Sequence, residues 1–261
     1  MNVAVCIKQV PGTTDVKINP ETNTLIRDGV ESQINPFDLY ALEEAVRIKE
    51  RAGEGKVTVI TMGPPQAEKA LREAIELGAD EGILLSDRAF AGSDTWATAY
   101  TLAYALKKIE FDVIICGMQA IDGDTGQVGP GIAVHLGIPQ VTYVSKIESL
   151  DKRKATVQRL IEEGHEVVQV DMPALFTVVK EINEPRTPSL RGKMAAKKAT
   201  IPVWKAEDLE APVEKLGLLG SPTQVVKIFC PERRGGGEKW EGEGPELANK
   251  LVDKLREMQL I

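Results

Sequence analysis

Residues 112–131, DVIICGMQAIDGDTGQVGPG, give the clearest indication of the fold class. The first five form a short apolar run rich in β-branched residues, typical of a strand buried on both faces of a parallel sheet. The small and polar residues that follow predict a loop, and a helix is expected to begin between Asp124 and Gln127 and to end near Gly137. In α/β sheets, ligands bind at loops that leave the carboxyl ends of strands.

Short apolar runs separated by amphipathic stretches extend to both sides of this segment. Helices are signalled by caps such as Asn35-Pro36, an N-cap followed by proline at the first helical position. Strands are predicted over residues 3–8, 57–62, 82–85, 112–116 and 141–144. The pattern predicts an α/β fold, an open and mostly parallel sheet with helices on both faces.

Two segments depart from this alternation of strand and helix. Residues 13–33 alternate polar and apolar side chains and predict a β-hairpin before the first helix. Residues 145–180 alternate in the same way around a turn at residues 162–165, and they predict an antiparallel extension of the sheet.

The composition predicts three consecutive regions. Residues 1–183 are expected to form an α/β nucleotide-binding domain that includes the antiparallel extension, and residues 184–200 a basic loop. Residues 201–261 are rich in proline and glycine, contain a flexible linker at 233–237, and end in a helix that begins at Gly244-Pro245. Because this arm has little core of its own, it is expected to pack on a partner subunit. The alternative is an arm folded back onto its own domain.

The overall composition excludes several classes of protein. A formal net charge of -7 argues against nucleic-acid binding, and no apolar run approaches the roughly 20 residues needed to span a bilayer. The first residues are too short for a signal peptide, and the unpaired spacing of Cys6, Cys116 and Cys230 fits reduced thiols in a cytoplasm. The two histidines lack partner motifs, so no catalytic side chain and no metal site are expected.

The loop after the fourth strand predicts an anion site. Its small residues let backbone N–H groups approach a diphosphate, the helix N-terminus adds partial positive charge, and Thr125 and Gln127 can add donors. The alternative is a tight turn without a ligand. Asp122 and Asp124 would repel a phosphate if both faced it, so we expect them to cap the helix, orient loop amides or accept from ribose hydroxyls.

Several motifs, in order and at consistent spacing, resemble those of electron transfer flavoprotein beta subunits over essentially the whole chain. They are Asn35-Pro36-Phe37-Asp38, Met62 to Gln66, Gly78-Ala79-Asp80, Gln119 to Asp124 and Asn183-Glu184-Pro185-Arg186. The resemblance implies an alpha-subunit partner that carries FAD, with electrons passing to or from a dehydrogenase. It also implies a nucleotide in the beta subunit: AMP in the respiratory branch, or a second FAD that exchanges hydride with NADH in the bifurcating branch.

Residues 122–130, 87–98 and 217–223 resemble the bifurcating branch. This implies that Cys6, Asn35 and Met62 line the adenosine end of the site. The flavin's polar edge or ribityl chain would contact residues near the start of the third helix, which are Phe90, Asp94, Thr95 and Thr98. For Phe90 the alternative is ordinary packing under the loop. The phosphates would meet the loop residues Gly117, Asp122, Gly123, Asp124, Thr125, Gly126, Gln127 and Val128.

The basic segment matches the family's recognition loop, which docks an acyl-CoA dehydrogenase. Leu190 is the expected apolar anchor of this docking, and the surrounding cations, Arg191, Lys193, Lys197 and Lys198, would contribute to it. The alternative for these cations is an ordinary solvated surface. The resemblance therefore predicts electron bifurcation from NADH to ferredoxin or flavodoxin and, through the alpha-subunit FAD, to an acyl-CoA dehydrogenase. The alternatives are a respiratory-type subunit with structural AMP, and a standalone adenine-nucleotide-binding regulatory domain of the universal-stress-protein kind.

Overall fold

A computed structural model describes residues 1–12, 17–19, 24–26, 32–226 and 235–261 of the chain. Cys230 and part of the predicted linker at 233–237 lie outside these residues. The chain forms two compact units, Met1–Val226 and Lys227–Ile261. The three predicted regions, with their different boundaries, stay predictions.

The first half of the chain alternates strands and helices, as the sequence predicts. Its helices are α1 (Pro36–Ala52), α2 (Glu68–Glu76), α3 (Thr95–Leu106) and α4 (Val128–Leu136). Its strands are β1 (Val3–Cys6), β2 (Gln9–Pro11), β3 (Lys17–Asn19), β4 (Thr24–Ile26), β5 (Ser32–Ile34), β6 (Val57–Met62), β7 (Glu81–Leu85) and β8 (Val113–Gly117). The predicted hairpin is confirmed, since β3 and β4 pair antiparallel.

The second half contains more strand than helix. Its strands are β9 (Gln140–Leu150), β10 (Lys154–Ile161), β11 (Gly164–Asp171), β12 (Ala174–Val178) and β13 (Val203–Trp204). Its helices are α5 (Leu190–Lys198), α6 (Ala206–Leu209) and, in the second unit, α7 (Gly244–Glu257). Within the described part of the chain, no helix has the length and apolar character needed to cross a bilayer.

The main sheet confirms the predicted fold class. Among the described residues it has nine strands in the order β11-β10-β9-β12-β8-β1-β6-β7-β13. The run from β9 to β13 is parallel throughout, and the β9-β10-β11 meander is the antiparallel extension. One expectation was wrong. β12, predicted as part of the antiparallel extension, is a central parallel strand inserted between β8 and β9.

Helices cover both faces of the sheet because alternate strand residues point to opposite sides. On one face Val3 and Val5 belong to a core that includes side chains of α1, α2 and α5. On the other face Ala4 and Cys6 belong to a core that includes side chains of α3, α4 and α6. A sheet buried in this way explains why its central strands are uniformly apolar.

The predicted basic loop is wrong, because residues 190–198 form helix α5. Ser189 is its N-cap and accepts a hydrogen bond from the N–H of Gly192 at 2.9 Å. Ala196 is buried, and the guanidinium of Arg72 in α2 donates to its carbonyl oxygen at 2.7 Å. Packing against α2 therefore makes a helix of a segment whose charges and glycine indicated a loop.

The second unit contains α7, which has Pro245 in its first turn, as predicted. Leu251 and Val252 are exposed on it, and Met258 is exposed directly after its last residue. An amphipathic helix with an exposed apolar stripe is suited to packing on another surface. Packing of this arm on a partner subunit stays a prediction.

Candidate functional site

A cleft of about 830 Å³ opens at the carboxyl edge of the sheet. The sheet neighbours β1 and β8 lie there, with β6 and β7 on one side of them and β12 and β9 on the other. The chain therefore continues from β1 and β8 toward opposite sides of the sheet. In open α/β sheets, the loops at such a point diverge and leave a crevice for a ligand. The lining residues follow the ends of four neighbouring strands and include Lys8, Pro64, Arg88 and Met118.

The loop after β8 is anchored to the start of α1 by Asn35. This fully buried residue occupies the N-cap position, but its side chain makes no cap hydrogen bond. Its Nδ2 donates to the carbonyl oxygen of Gln119 at 2.8 Å, and its Oδ1 accepts from the N–H of Ile121 at 3.1 Å. Asn35 thus holds the loop in place from behind and does not line the cleft.

Both loop aspartates have partners within the protein. Asp122 Oδ1 accepts from Lys8 Nζ at 2.6 Å, and Asp124 Oδ1 accepts from Gln119 Nε2 at 2.9 Å. Neither caps α4, whose N-cap position is Gln127 with no side-chain cap bond. Of the three roles considered for the aspartates, orientation of the loop is the one that these contacts support. Lys8 and Gln119 also reduce the repulsion that an anion would meet.

The second half of the loop presents backbone donors. The N–H groups of Thr125, Gly126 and Gln127 donate to no acceptor among the described residues. They are followed by the first turn of α4, whose own N–H groups have no intrahelical partners. Gly126 has φ +61°, a left-handed conformation that turns the chain here at no steric cost. These donors fit the diphosphate of a dinucleotide.

The opposite wall joins the two other segments that resemble the bifurcating branch. Asp94 caps α3 by accepting from the N–H of Ala97 at 3.0 Å. It also accepts from the N–H and hydroxyl of Thr223 at 3.0 and 2.8 Å, and its own N–H donates to Ser221 Oγ at 2.8 Å. Residues 87–98 thus line this wall, and residues 217–223, distant in sequence, are bound to them through Asp94 without lining the cleft. Thr95 Oγ1 reaches Thr125 Oγ1 at 3.2 Å, which joins this wall to the loop.

Ten of the fifteen predicted cofactor residues line the cleft, and five do not. The ten are Cys6, Met62, Phe90, Thr98, Gly117, Gly123, Asp124, Thr125, Gly126 and Val128. The other five are not among the lining residues: Asn35, Asp94, Thr95 and Asp122 support the lining from behind or beside, and Gln127 lies between the lining residues Gly126 and Val128. Contact of any of the fifteen with a cofactor stays a prediction.

A family model described as "Electron transfer flavoprotein domain" matches residues 22–209. The chain is 53% identical over 262 residues to the electron transfer flavoprotein subunit beta of Thermoanaerobacterium thermosaccharolyticum, covering all of both chains. The chain belongs to the electron transfer flavoprotein family. It is also 50% identical to the subunit beta of Clostridium acetobutylicum and 51% identical to the caffeyl-CoA reductase-Etf complex subunit CarD of Acetobacterium woodii, again covering all of each chain.

Membership of the electron transfer flavoprotein family, as a beta subunit, implies electron transfer together with an alpha-subunit partner. The predicted recognition residues lie on α5 and are exposed, Leu190 at 78% and the four cations around it. Their role in docking stays a prediction, since surface lysines and arginines are exposed in most proteins.

Several residues that line this electron transfer flavoprotein cleft are absent from the predicted set, and three charged ones matter most for its chemistry. Lys8 follows β1, Asp38 lies in the first turn of α1, and Arg88 lies in a short turn after β7. A signal for Asp38 is present in the sequence, because this residue ends the motif Asn35-Pro36-Phe37-Asp38, but a helix start does not by itself place the Asp38 side chain in a cleft. Lys8 and Arg88 supply the cationic groups that the predicted site lacked.

Asp38 lies at the floor of the cleft and is 6% exposed. Burial raises its pKa to about 7, although the Lys8 N–H, which donates to its Oδ2 at 2.7 Å, opposes the rise. Because the folded state holds the proton more tightly than the unfolded state, this group stabilises the fold below its ordinary pKa. That contribution is lost as the pH rises from 3.8 to about 7.

Asp38→Asn should therefore stay folded and lose this pH dependence, because an amide oxygen can still accept from Lys8 N–H. Relative to the variant, the wild-type free energy of unfolding should fall between about pH 4 and about pH 7. The fall should be at most about 4 kcal/mol, from about 1.4 kcal/mol per unit of pKa. Urea unfolding of both proteins across this range measures the difference. A difference that does not vary with pH would contradict the raised pKa.

Proposed function

We propose that this chain is the beta subunit of a bifurcating electron transfer flavoprotein that acts in the cytoplasm. In this proposal it forms a heterodimer with an alpha subunit, holds FAD in its cleft and takes electrons from NADH. One electron goes to ferredoxin or flavodoxin and the other, through the alpha-subunit FAD, to an acyl-CoA dehydrogenase. The observation that carries the proposal is the size and construction of the cleft.

The cleft is large for a mononucleotide. Small-molecule sites span about 300–1,000 Å³, and this one, at about 830 Å³, lies in the upper part of that range. It runs from the free amides at Thr125 to Gln127 past Cys116 to the wall that contains Phe90. AMP would satisfy the amides and leave the Phe90 end without a ligand. A dinucleotide uses both ends.

The protein's part in this function is to bind and orient the cofactor. A bound FAD would supply the redox chemistry, accepting hydride and releasing electrons one at a time. The amides of residues 125–127 would hold its diphosphate, and Lys8 and Arg88 would offset its charge. The side chains of Met62, Phe90 and Leu102 give the cleft an apolar portion that limits water around a ring system.

The relatives support a partner that acts on CoA esters. The Acetobacterium woodii relative is named as a subunit of a caffeyl-CoA reductase-Etf complex. In this chain α5 presents Leu190 and the half-exposed Met194 beside Arg191 and Lys193, an apolar patch with a cationic rim. Interfaces are commonly built from apolar anchors surrounded by polar groups, so we propose α5 as the docking surface for the dehydrogenase.

Flavin and AMP content of the purified heterodimer tests the proposal. We expect two FAD per heterodimer and no AMP, measured by acid extraction and chromatography, with the flavin content checked by absorbance. One FAD together with one AMP would instead support the respiratory-type alternative with structural AMP. NADH added without air should bleach the flavin absorbance of the two-FAD complex. A standalone regulatory domain is not proposed, because the chain matches beta subunits along its full length.

A further inference from the structure

Two cysteines lie side by side on the floor of the cleft. Cys6 ends β1 and Cys116 lies near the end of β8, and the two are paired in register across these neighbouring parallel strands. Residues paired in this way point to the same face of a sheet, and both belong to the same core cluster. The pair is not apparent from the sequence, because its two members lie far apart along the chain.

The only solvent-facing side of this pair, within the part of the chain that the structure describes, is the cleft. Cys6 is 7% and Cys116 is 6% exposed, and both line the cleft. Behind Cys116 lies α4, where a side-chain carbon on Gly129 would come within 3.8 Å of its Cβ. A reagent can therefore approach both sulfur atoms together, and only from the space that the nucleotide is proposed to fill.

The spacing suits one atom bound by both thiols. Neighbouring strands are roughly 4.8 Å apart, which falls within the range of about 4.4–6.8 Å between Cα atoms that a disulfide spans. A hydrogen bond with Cys6, together with burial, raises the pKa of the Cys116 thiol. At neutral pH this thiol is protonated, which disfavours reagents that need a thiolate.

We propose that Cys6 and Cys116 form a dithiol site for a trivalent organic arsenical, open when the cleft holds no nucleotide and covered when it does. The reaction is a condensation. Two As–S bonds form, the two S–H protons leave with the arsenical oxygen as one molecule of water, and nothing is oxidised or reduced. Sulfur ligands select soft metals and metalloids, and two of them on rigid strands hold such an atom more tightly than one.

The test uses the heterodimer, depleted of nucleotide, with one equivalent of phenylarsine oxide and an excess of glutathione to remove adducts held by a single thiol. Intact mass of this chain should show one phenylarsenic group. Cys230→Ser is the matched control and should give the same adduct. Cys6→Ser and Cys116→Ser should each lower the adduct at least tenfold, and saturation with FAD or AMP before the reagent should do the same.

Peptide mapping of the wild-type adduct gives a result that does not depend on how the variants fold. The arsenic should join the peptide containing Cys6 to the peptide containing Cys116. An adduct elsewhere, an adduct that survives in either serine variant, or no protection by nucleotide would overturn the proposal. Because either nucleotide protects, these outcomes are separate from the flavin count that tests the proposed function.

Discussion

Gly117→Ala is expected to destabilise the fold by about 3 kcal/mol and to empty the cleft of nucleotide. A β-carbon at this position would overlap Asp38 Oδ1, lie 2.7 Å from the carbonyl carbon of Phe37 and lie 2.9 Å from the backbone nitrogen of Asp38. These atoms belong to the first turn of α1 and are buried or part of the backbone, so they have no free space to move into. Overpacking of this kind costs about 1–3 kcal/mol, and occasionally more.

The loss of nucleotide follows from the same displacement. Moving the start of α1 also moves Asn35, which holds Gln119 and Ile121 in the loop by two hydrogen bonds. The amides at 125–127 would then no longer be arranged for a diphosphate. Denaturant unfolding and the nucleotide content of the purified variant measure the two effects.

Gly123→Ala is the matched control for this prediction. It lies in the same loop and lines the same cleft, but the nearest atom to an added β-carbon is Lys8 Nζ at 4.0 Å, the end of a flexible side chain. Its stability should remain within about 0.5 kcal/mol of wild type. Equal stability losses in the two variants would show that the contact of Gly117 with α1 is not what requires glycine there.

Arg186→Met is expected to destabilise the fold by about 2–3 kcal/mol. Glu43 is 4% exposed on α1, and Arg186 Nε donates to its Oε2 at 2.7 Å. The variant removes this donor and leaves the buried carboxylate with Arg47 as its remaining charged partner. Breaking a buried ion pair by removing one partner costs about 3–5 kcal/mol, and the partial exposure of Arg186 reduces that figure.

The pH dependence of this loss has a definite sign. Burial raises the pKa of Glu43, but hydrogen bonds from Arg186 and Arg47 outweigh it and hold the pKa below its ordinary value. The stabilisation is therefore present at neutral pH and lost as the pH falls through the folded-state pKa. The difference between wild type and Arg186→Met in free energy of unfolding should shrink in acid.

Two further variants separate the buried charge from the surface charge. Glu50 also binds Arg186, at 2.8 Å, but it is 54% exposed, so Glu50→Gln should cost less than about 1 kcal/mol. Adding Glu43→Gln to Arg186→Met should recover part of the loss, because the buried charge is gone. If the double variant is no more stable than Arg186→Met, the unpaired carboxylate is not the cause.

The parallel sheet and its helices could be predicted because they depend on local patterns. A short apolar run such as Val113 to Cys116 indicates a strand buried on both faces, and Asp94 before Thr95 indicates a helix start. The cleft position followed from the same reasoning, since loops after parallel strands meet at one edge. The resemblance to the family, rather than these local patterns, supplied residues away from the loop, such as Cys6 and Met62.

The errors come from features that only tertiary contacts determine. The run Ala174 to Val178 is as apolar as a central strand, but its sequence does not indicate which strand it pairs with, and in the structure it pairs with β8. Asn35 is a residue type that commonly caps helices, so the sequence indicates a helix start. Its hydrogen bond to a loop residue 84 positions later depends on the folded structure. Segment 190–198 becomes helical because Gly192 and Ala196 pack closely on α2.

The position of β12 sets an order of events during protein synthesis. Leu175 pairs with Ile114 on one side and with Gln140 on the other, so β9 cannot join the sheet until a later segment lies between it and β8. In a nascent chain released as far as residue 173, the β9-β10-β11 meander lacks the strand that joins β9 to β8 in the native sheet. At roughly 5–20 residues per second, attachment waits for the five residues of β12 to leave the ribosome.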